Sequence, residues 1–135
     1  MYMDENDEVT GVYDYFLPVA TTLGLEEAAE LAKKFDALVY PAHIDRMANG
    51  IVSILGTIPD SPEFSCIEFN SADDVAKYFS LYPAIADKPY VINSDAHNLW
   101  SINEAENFIE LEDEPYSSDF VRHKLFEHLR GCKKG

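Results

Sequence analysis

Hydrophobic positions along the chain fall into alternating helical and extended patterns. From Leu25 apolar residues recur as Leu25, Ala28, Ala29, Ala32 and Phe35, the spacing of one helix face. Glu26 and Glu27 in the first turn and Lys33 and Lys34 in the last suit the helix dipole. Ala37-Leu38-Val39-Tyr40 is a short apolar run stopped by Pro41, the pattern of a buried strand in a parallel sheet. Met47 to Leu55 has a short helical pattern ending at Gly56. Phe64-Ser65-Cys66-Ile67-Glu68-Phe69 reads as a second strand. Ser71 suits the N-cap of a helix with Ala72, Val75, Ala76 and Phe79 on one face. Tyr90-Val91-Ile92-Asn93 is a third strand, entered through Pro89, and Phe108-Ile109-Glu110-Leu111 a fourth. Ser117 or Ser118 caps a last helix with Val121, Leu125 and Leu129 inward and Gly131 as its stop.

Helix and strand in alternation predict an α/β fold of βα units with a mainly parallel sheet. Four strands do not close a barrel, so the sheet is open or forms about half of a larger barrel. One domain is expected over residues 1–135. Residues 1–20 form an irregular or hairpin lead-in, 21–112 the βα core, and 113–135 the C-terminal helix and tail. The acidic residues 1–11 read as a turn or a frayed start. The aromatic stretch Tyr13, Tyr15, Phe16 and Leu17, ahead of Pro18, is expected to pack on something.

Composition narrows the function classes. The 135 residues are 47% hydrophobic, enough for a core, and 13% aromatic, which argues against global disorder. Ten Lys and Arg against 25 Asp and Glu give a formal net charge of -15. Such a chain lacks the clustered cations needed for general nucleic-acid binding or for a polybasic grip on a membrane. A decoy of nucleic acid is disfavoured because the carboxylates are dispersed around ordinary amphipathic elements. No window approaches the apolar length of a membrane span, and the N-terminus is acidic where a signal peptide would be basic. Cys66 and Cys132 stand far apart with no metal-ribbon spacing, and Cys66 suits a small buried hydrophobe. A reducing, cytoplasmic compartment is the expectation.

Candidate chemistry lies after the strands, where parallel α/β folds collect their sites. Pro41-Ala42-His43-Ile44-Asp45-Arg46 follows the first strand, Glu68 to Asn70 ends the second, and Ser94-Asp95-Ala96-His97-Asn98 follows the third. In a parallel sheet these three ends share one rim. Asp-x-His in a turning loop can present carboxylate and imidazole to one ion, and that donor set suits zinc, manganese or iron. The other histidines, His123 and His128, lie five apart on the last helix, a spacing that does not favour a shared ion, and read as solvated or packing groups. Glu110, Glu112, Asp113 and Glu114 read as a solvated strand end and loop.

Pro-Ala-His-Ile-Asp-Arg after one strand and Val-Ile-Asn-Ser-Asp-Ala-His-Asn-Leu after another resemble the later half of a PHP domain, the polymerase and histidinol phosphatase superfamily of metal-dependent phosphoesterases. Ile67-Glu68-Phe69-Asn70 resembles the intervening strand, and the resemblance covers roughly residues 20–112. It implies the later half of a distorted seven-stranded (βα) barrel with a cluster of divalent ions, zinc, manganese or iron. It implies that His43, Asp95 and His97 are metal ligands and that Arg46 contacts a phosphate; the alternative for Arg46 is a surface salt bridge. Asp45, Glu68, Asn70 and Asn98 would support the ligands from behind. Ser94 hydrogen-bonds within its turn, and no residue is assigned as a nucleophile.

The family's early His-x-His, second His motif and metal-bridging Glu have no counterpart here, since no histidine precedes His43. The expectation is therefore a C-terminal part of such a protein, its site completed by a missing N-terminal half or by a homo-oligomer. The complete protein would act on a phosphorylated small molecule. The rival expectation is a non-catalytic binding or oligomerisation module, with the Tyr13 to Leu17 stretch and Trp100 as its contacts.

Overall fold

The structure, a computed structural model, describes residues 2–14 and 21–131. Tyr15, Phe16, Leu17 and Cys132 lie outside the described residues. Among the described residues β1 (Tyr2–Met3) pairs antiparallel with β2 (Val9–Gly11) in a hairpin. Its acidic residues shape that turn: the Asp4 carboxylate accepts from the Asn6 and Glu8 backbone N–H groups at 2.8 and 3.0 Å. Tyr13 meets Tyr2 edge-on at 6.0 Å.

α1 (Leu25–Lys34) follows the expected dipole pattern, and the Glu27 carboxylate accepts from the Gly24 N–H at 2.9 Å. Only Ala29 is buried in it. Phe35, placed on the inner face by periodicity, is instead 78% exposed. The helix has ended there, and Asp36 turns the chain at φ 54°, so the helical period no longer sets where Phe35 points. α2 (Ile51–Leu55) is shorter than the 47–55 pattern and stops at Gly56, whose φ of 74° is left-handed.

The centre is a βαβ unit. β3 (Ile67–Phe69) and β4 (Tyr90–Ile92) pair in parallel, with Ile67 opposite Tyr90 and Phe69 opposite Ile92. Between them Ser71 caps a 3-10 turn, Ala72–Asp74, by accepting from the Asp73 N–H, and α3 (Val75–Leu81) continues it. The inner face of α3 is rotated from the expected one. Val75, Tyr78, Phe79 and Tyr82 pack on the core, whereas Ala72 and Ala76 are exposed. The aromatic rings bury more apolar area than the alanines, so they set the helix orientation.

The core is Ile44, Phe64, Ile67, Phe69, Tyr78 and Ile85. Phe69 is its centre, fully buried and edge-on to Tyr78, Phe79 and Tyr90 at 5.8–6.0 Å. Cys66 is buried as expected, and burial pushes its thiol pKa up to about 11.

Two expected strands are not strands. Residues 37–40 carry no strand, with Leu38, Val39 and Tyr40 half-buried and Ala37 exposed; the chain meets β3 only further on, where the Glu68 N–H donates to the Pro41 carbonyl and the Ile44 N–H to the Glu68 carbonyl. Residues 108–111 make no ladder, and Phe108 is 78% exposed. Glu106 to Glu110 and the residues of β4 line an open groove of about 750 Å³. Among the described residues the sheets are thus one parallel and one antiparallel pair, mixed α/β but short of a mainly parallel sheet. α4 (Ser118–Leu129) closes the chain, capped by the Ser117 hydroxyl, which accepts from the Phe120 N–H at 3.2 Å. Val121 and Leu125 are half-buried, Leu129 is buried, and Gly131 turns out at φ 70°. No helix among the described residues is long and apolar enough to cross a membrane.

Two outcomes test this packing. Phe69→Ala is expected to cost about 3–5 kcal/mol in denaturant unfolding, and Phe108→Ala to stay within about 0.5 kcal/mol. Stability is also expected to fall as pH rises from about 9 to about 11. Below that window both states keep the Cys66 proton. Within it the unfolded chain releases the proton first and gains. Burial raises the Tyr40 and Tyr78 hydroxyls as well, in the same direction. Cys66→Ala should flatten the thiol part of the slope only, as read by unfolding midpoints across that range.

Candidate functional site

Three segments meet at the carboxyl ends of β3 and β4: residues 41–46, 68–71 and 93–97. The first is anchored by Ile44, fully buried, and by Pro41, also buried. His43 sits at φ 27° in a tight turn whose closure is the Arg46 N–H donating to the His43 carbonyl at 3.0 Å. Gly50 packs against that turn. A Cβ there would stand 2.9 Å from the His43 carbonyl oxygen and 3.0 Å from that of Arg46, so only glycine fits without a shift.

Two carboxylates stitch the segments together. Glu68 Oε1 accepts from the His43 backbone N–H at 3.2 Å, and its Oε2 accepts from the Asn93 side-chain amide at 2.7 Å. Asp45 accepts from the Asn70 N–H through both oxygens, at 2.8 and 3.0 Å, and from the Ser71 N–H at 2.8 Å. The Asn70 amide donates to the Asn93 and Ser94 carbonyls, both at 3.0 Å. Loop N–H and C=O groups that leave the ladder at the strand ends are thereby satisfied.

On this frame His43 and Asp95 converge. His43 Nε2 stands 3.7 Å from Asp95 Oδ2, and Asp95 is held at φ 51°. The Arg46 guanidinium donates to the same Oδ2. His43 Nδ1 is buried without a hydrogen-bond partner. His97 is exposed and turns back on its own loop, its Nδ1 2.7 Å from the Asp95 carbonyl. That carbonyl can only accept, so His97 Nδ1 donates to it.

The expected residues divide accordingly. The structure brings His43, Arg46 and Asp95 together and sets Asp45, Glu68 and Asn70 behind them. His97 stands on the same loop without joining them. Asn98 Oδ1 accepts from the Ser101 hydroxyl at 2.5 Å, at the start of the 3-10 turn Leu99–Ser101. His123 pairs with Glu127 at 3.3 Å on α4, apart from this rim. Asn93 and Gly50 belong to the frame and were not among the expected residues. Asn93 ends a strand, and Asn49-Gly50 directly precedes an apolar helix; these were the available signals.

Imidazole beside carboxylate is suitable donor chemistry for a divalent cation, while the buried His43 Nδ1 lacks the hydrogen-bond acceptor that usually orients a ligating ring. Among the described residues no group of three or more His, Cys, Asp or Glu side chains is gathered closely enough to hold an ion. The fit is thus of a converging pair, His43 and Asp95, with His97 adjacent. No family model, no curated protein and no solved structure matches the chain.

Asp45→Ala leaves two backbone N–H groups, those of Asn70 and Ser71, without their acceptor. It should cost about 1–3 kcal/mol in denaturant unfolding, and Asp45→Asn, which keeps one acceptor oxygen, less. Equal midpoints for wild type and Asp45→Ala would show that the carboxylate does not hold the loops.

Proposed function

We propose that this chain contributes the late-strand donors of a PHP-type, metal-dependent phosphoesterase site. The convergence of His43 Nε2 and Asp95 Oδ2 from separate loops at the same sheet rim carries this reading. The resemblance of the two loop motifs supplies the reaction class. A divalent ion, zinc, manganese or iron, supplies activation of water and neutralisation of phosphoryl oxygens when bound. His43 and Asp95 are its donors, with His97 as a third from the adjacent turn. Arg46 is the cation available to a phosphoryl oxygen. Glu68 and Asn93 fix the backbone on which His43 and Asp95 stand, and Asp45 and Asn70 lock the neighbouring loop. The substrate class is a phosphorylated small molecule, and the full ion cluster takes further donors from an N-terminal half or from a second copy.

A second reading rests on a different observation. Leu99, Trp100, Ile102 and Phe108 are all strongly exposed, Trp100 at 87%. Phe108 lines the groove beside β4, whose outer edge is unpaired among the described residues. An apolar surface beside an open strand edge suits a binding or oligomerisation module. That module would form a stable oligomer and release no phosphate from phosphomonoesters.

Calorimetric titration with Mn²⁺ tests the first reading. His43→Ala and Asp95→Asn should each weaken binding by at least about tenfold, because outer-sphere losses alone reach that size. His123→Ala should bind as wild type does. If all three variants bind alike, the site is misassigned.

A further inference from the structure

We propose that Arg46 is a latch that couples the cation site to the arrival of a phosphoryl group. The inference rests on the reading of His43 and Asp95 as cation donors. The Arg46 guanidinium occupies Asp95 Oδ2, the very oxygen that faces His43 Nε2. A guanidinium and a metal ion both need the lone pairs of that oxygen and repel one another, so they compete for it. Among the described residues the neighbouring carboxylates, Glu68 and Asp45, are engaged by backbone and amide donors.

The latch can open without moving the loop. The Arg46 backbone is fixed by its N–H to the His43 carbonyl and by the close approach of Gly50, whereas its side chain is 42% exposed. A part-exposed ion pair of this kind is weak and readily exchanged. A phosphate dianion offers the guanidinium two oxygens and a larger charge than one carboxylate does. Once Arg46 turns to phosphate, Asp95 Oδ2 is released toward His43. Phosphate then tightens the cation, and by reciprocity the cation tightens phosphate. The cation-binding state is thus favoured when a phosphorylated ligand is present.

Electron paramagnetic resonance can count free Mn²⁺ over the full chain with and without inorganic phosphate, the association of Mn²⁺ with phosphate in buffer being subtracted. Arg46→Met, Asp95→Asn and Arg122→Met are compared with wild type. Arg122 carries the same charge on α4, where it pairs with Asp119. Without phosphate, Arg46→Met should bind Mn²⁺ about two- to fivefold more tightly than wild type, the competition expected of a part-exposed pair. Arg122→Met should be unchanged and Asp95→Asn weakened. Phosphate should tighten Mn²⁺ binding by wild type, and that gain should vanish in Arg46→Met. If Asp95→Asn weakens binding but Arg46→Met does not tighten it, or if phosphate helps both proteins equally, the latch is wrong and the cation site stands. If Asp95→Asn binds as wild type does, or no protein binds Mn²⁺, the cation site itself is wrong and the latch falls with it.

Discussion

The rim of this molecule depends on the need to satisfy backbone groups where β3 and β4 end. A parallel pair stops abruptly, and the N–H and C=O groups beyond it must find partners in loops. Here they find Glu68, Asp45 and Asn70. Glu68 ties the loop carrying His43 to the end of β4, and Asp45 ties that same loop to the end of β3. Asn70 reaches across to the Asn93 and Ser94 carbonyls. Each link spans at least 23 residues of chain, so the three segments hold one geometry only when all are folded.

Below this rim the aromatic packing around Phe69 fixes the platform. Phe69 is the last residue of β3, and the residue after it, Asn70, already belongs to the rim. The apolar core and the polar frame therefore meet at consecutive residues. Rotation of α3 to bury Tyr78 and Phe79 presses its aromatic face on Phe69 and leaves Ser71 free to start the helix beside Asp45. Packing and hydrogen bonding select the same chain path at this point, a mutual support expected of a specified fold.

Much of this was legible in the sequence. Helix ends carry local chemistry: Glu26 and Glu27 in the first turn of α1, the Ser71 and Ser117 caps, and Gly56 and Gly131 as stops. The rim was legible because strand ends in a parallel pair coincide and the polar residues follow the apolar runs directly. Residues 37–40 and 108–111 misled because a four-residue apolar run reports burial or local extension, not a ladder partner, and pairing is a property of two segments. His97 was read with Asp95 from the Asp-x-His spacing and the resemblance of its loop motif. Spacing cannot show that the imidazole would close a hydrogen bond onto the Asp95 carbonyl of its own loop.

The charge pattern explains why so acidic a chain gathers so few cation donors at its rim. Three carboxylates reach it, Asp45, Glu68 and Asp95. Two are engaged by N–H groups and serve the backbone rather than a ligand. Among the described residues Asp95 is the one of the three that pairs with the His43 ring, and it faces Arg46 as well. A carboxylate held between an imidazole and a guanidinium is in a balanced position. Its negative charge attracts a metal ion, while the guanidinium already screens that charge. The net charge of -15 therefore says little about the site; what matters is which lone pairs the hydrogen-bond frame leaves open. At this rim the frame leaves the Asp95 carboxylate and the His43 ring, and the Arg46 guanidinium lies against the first.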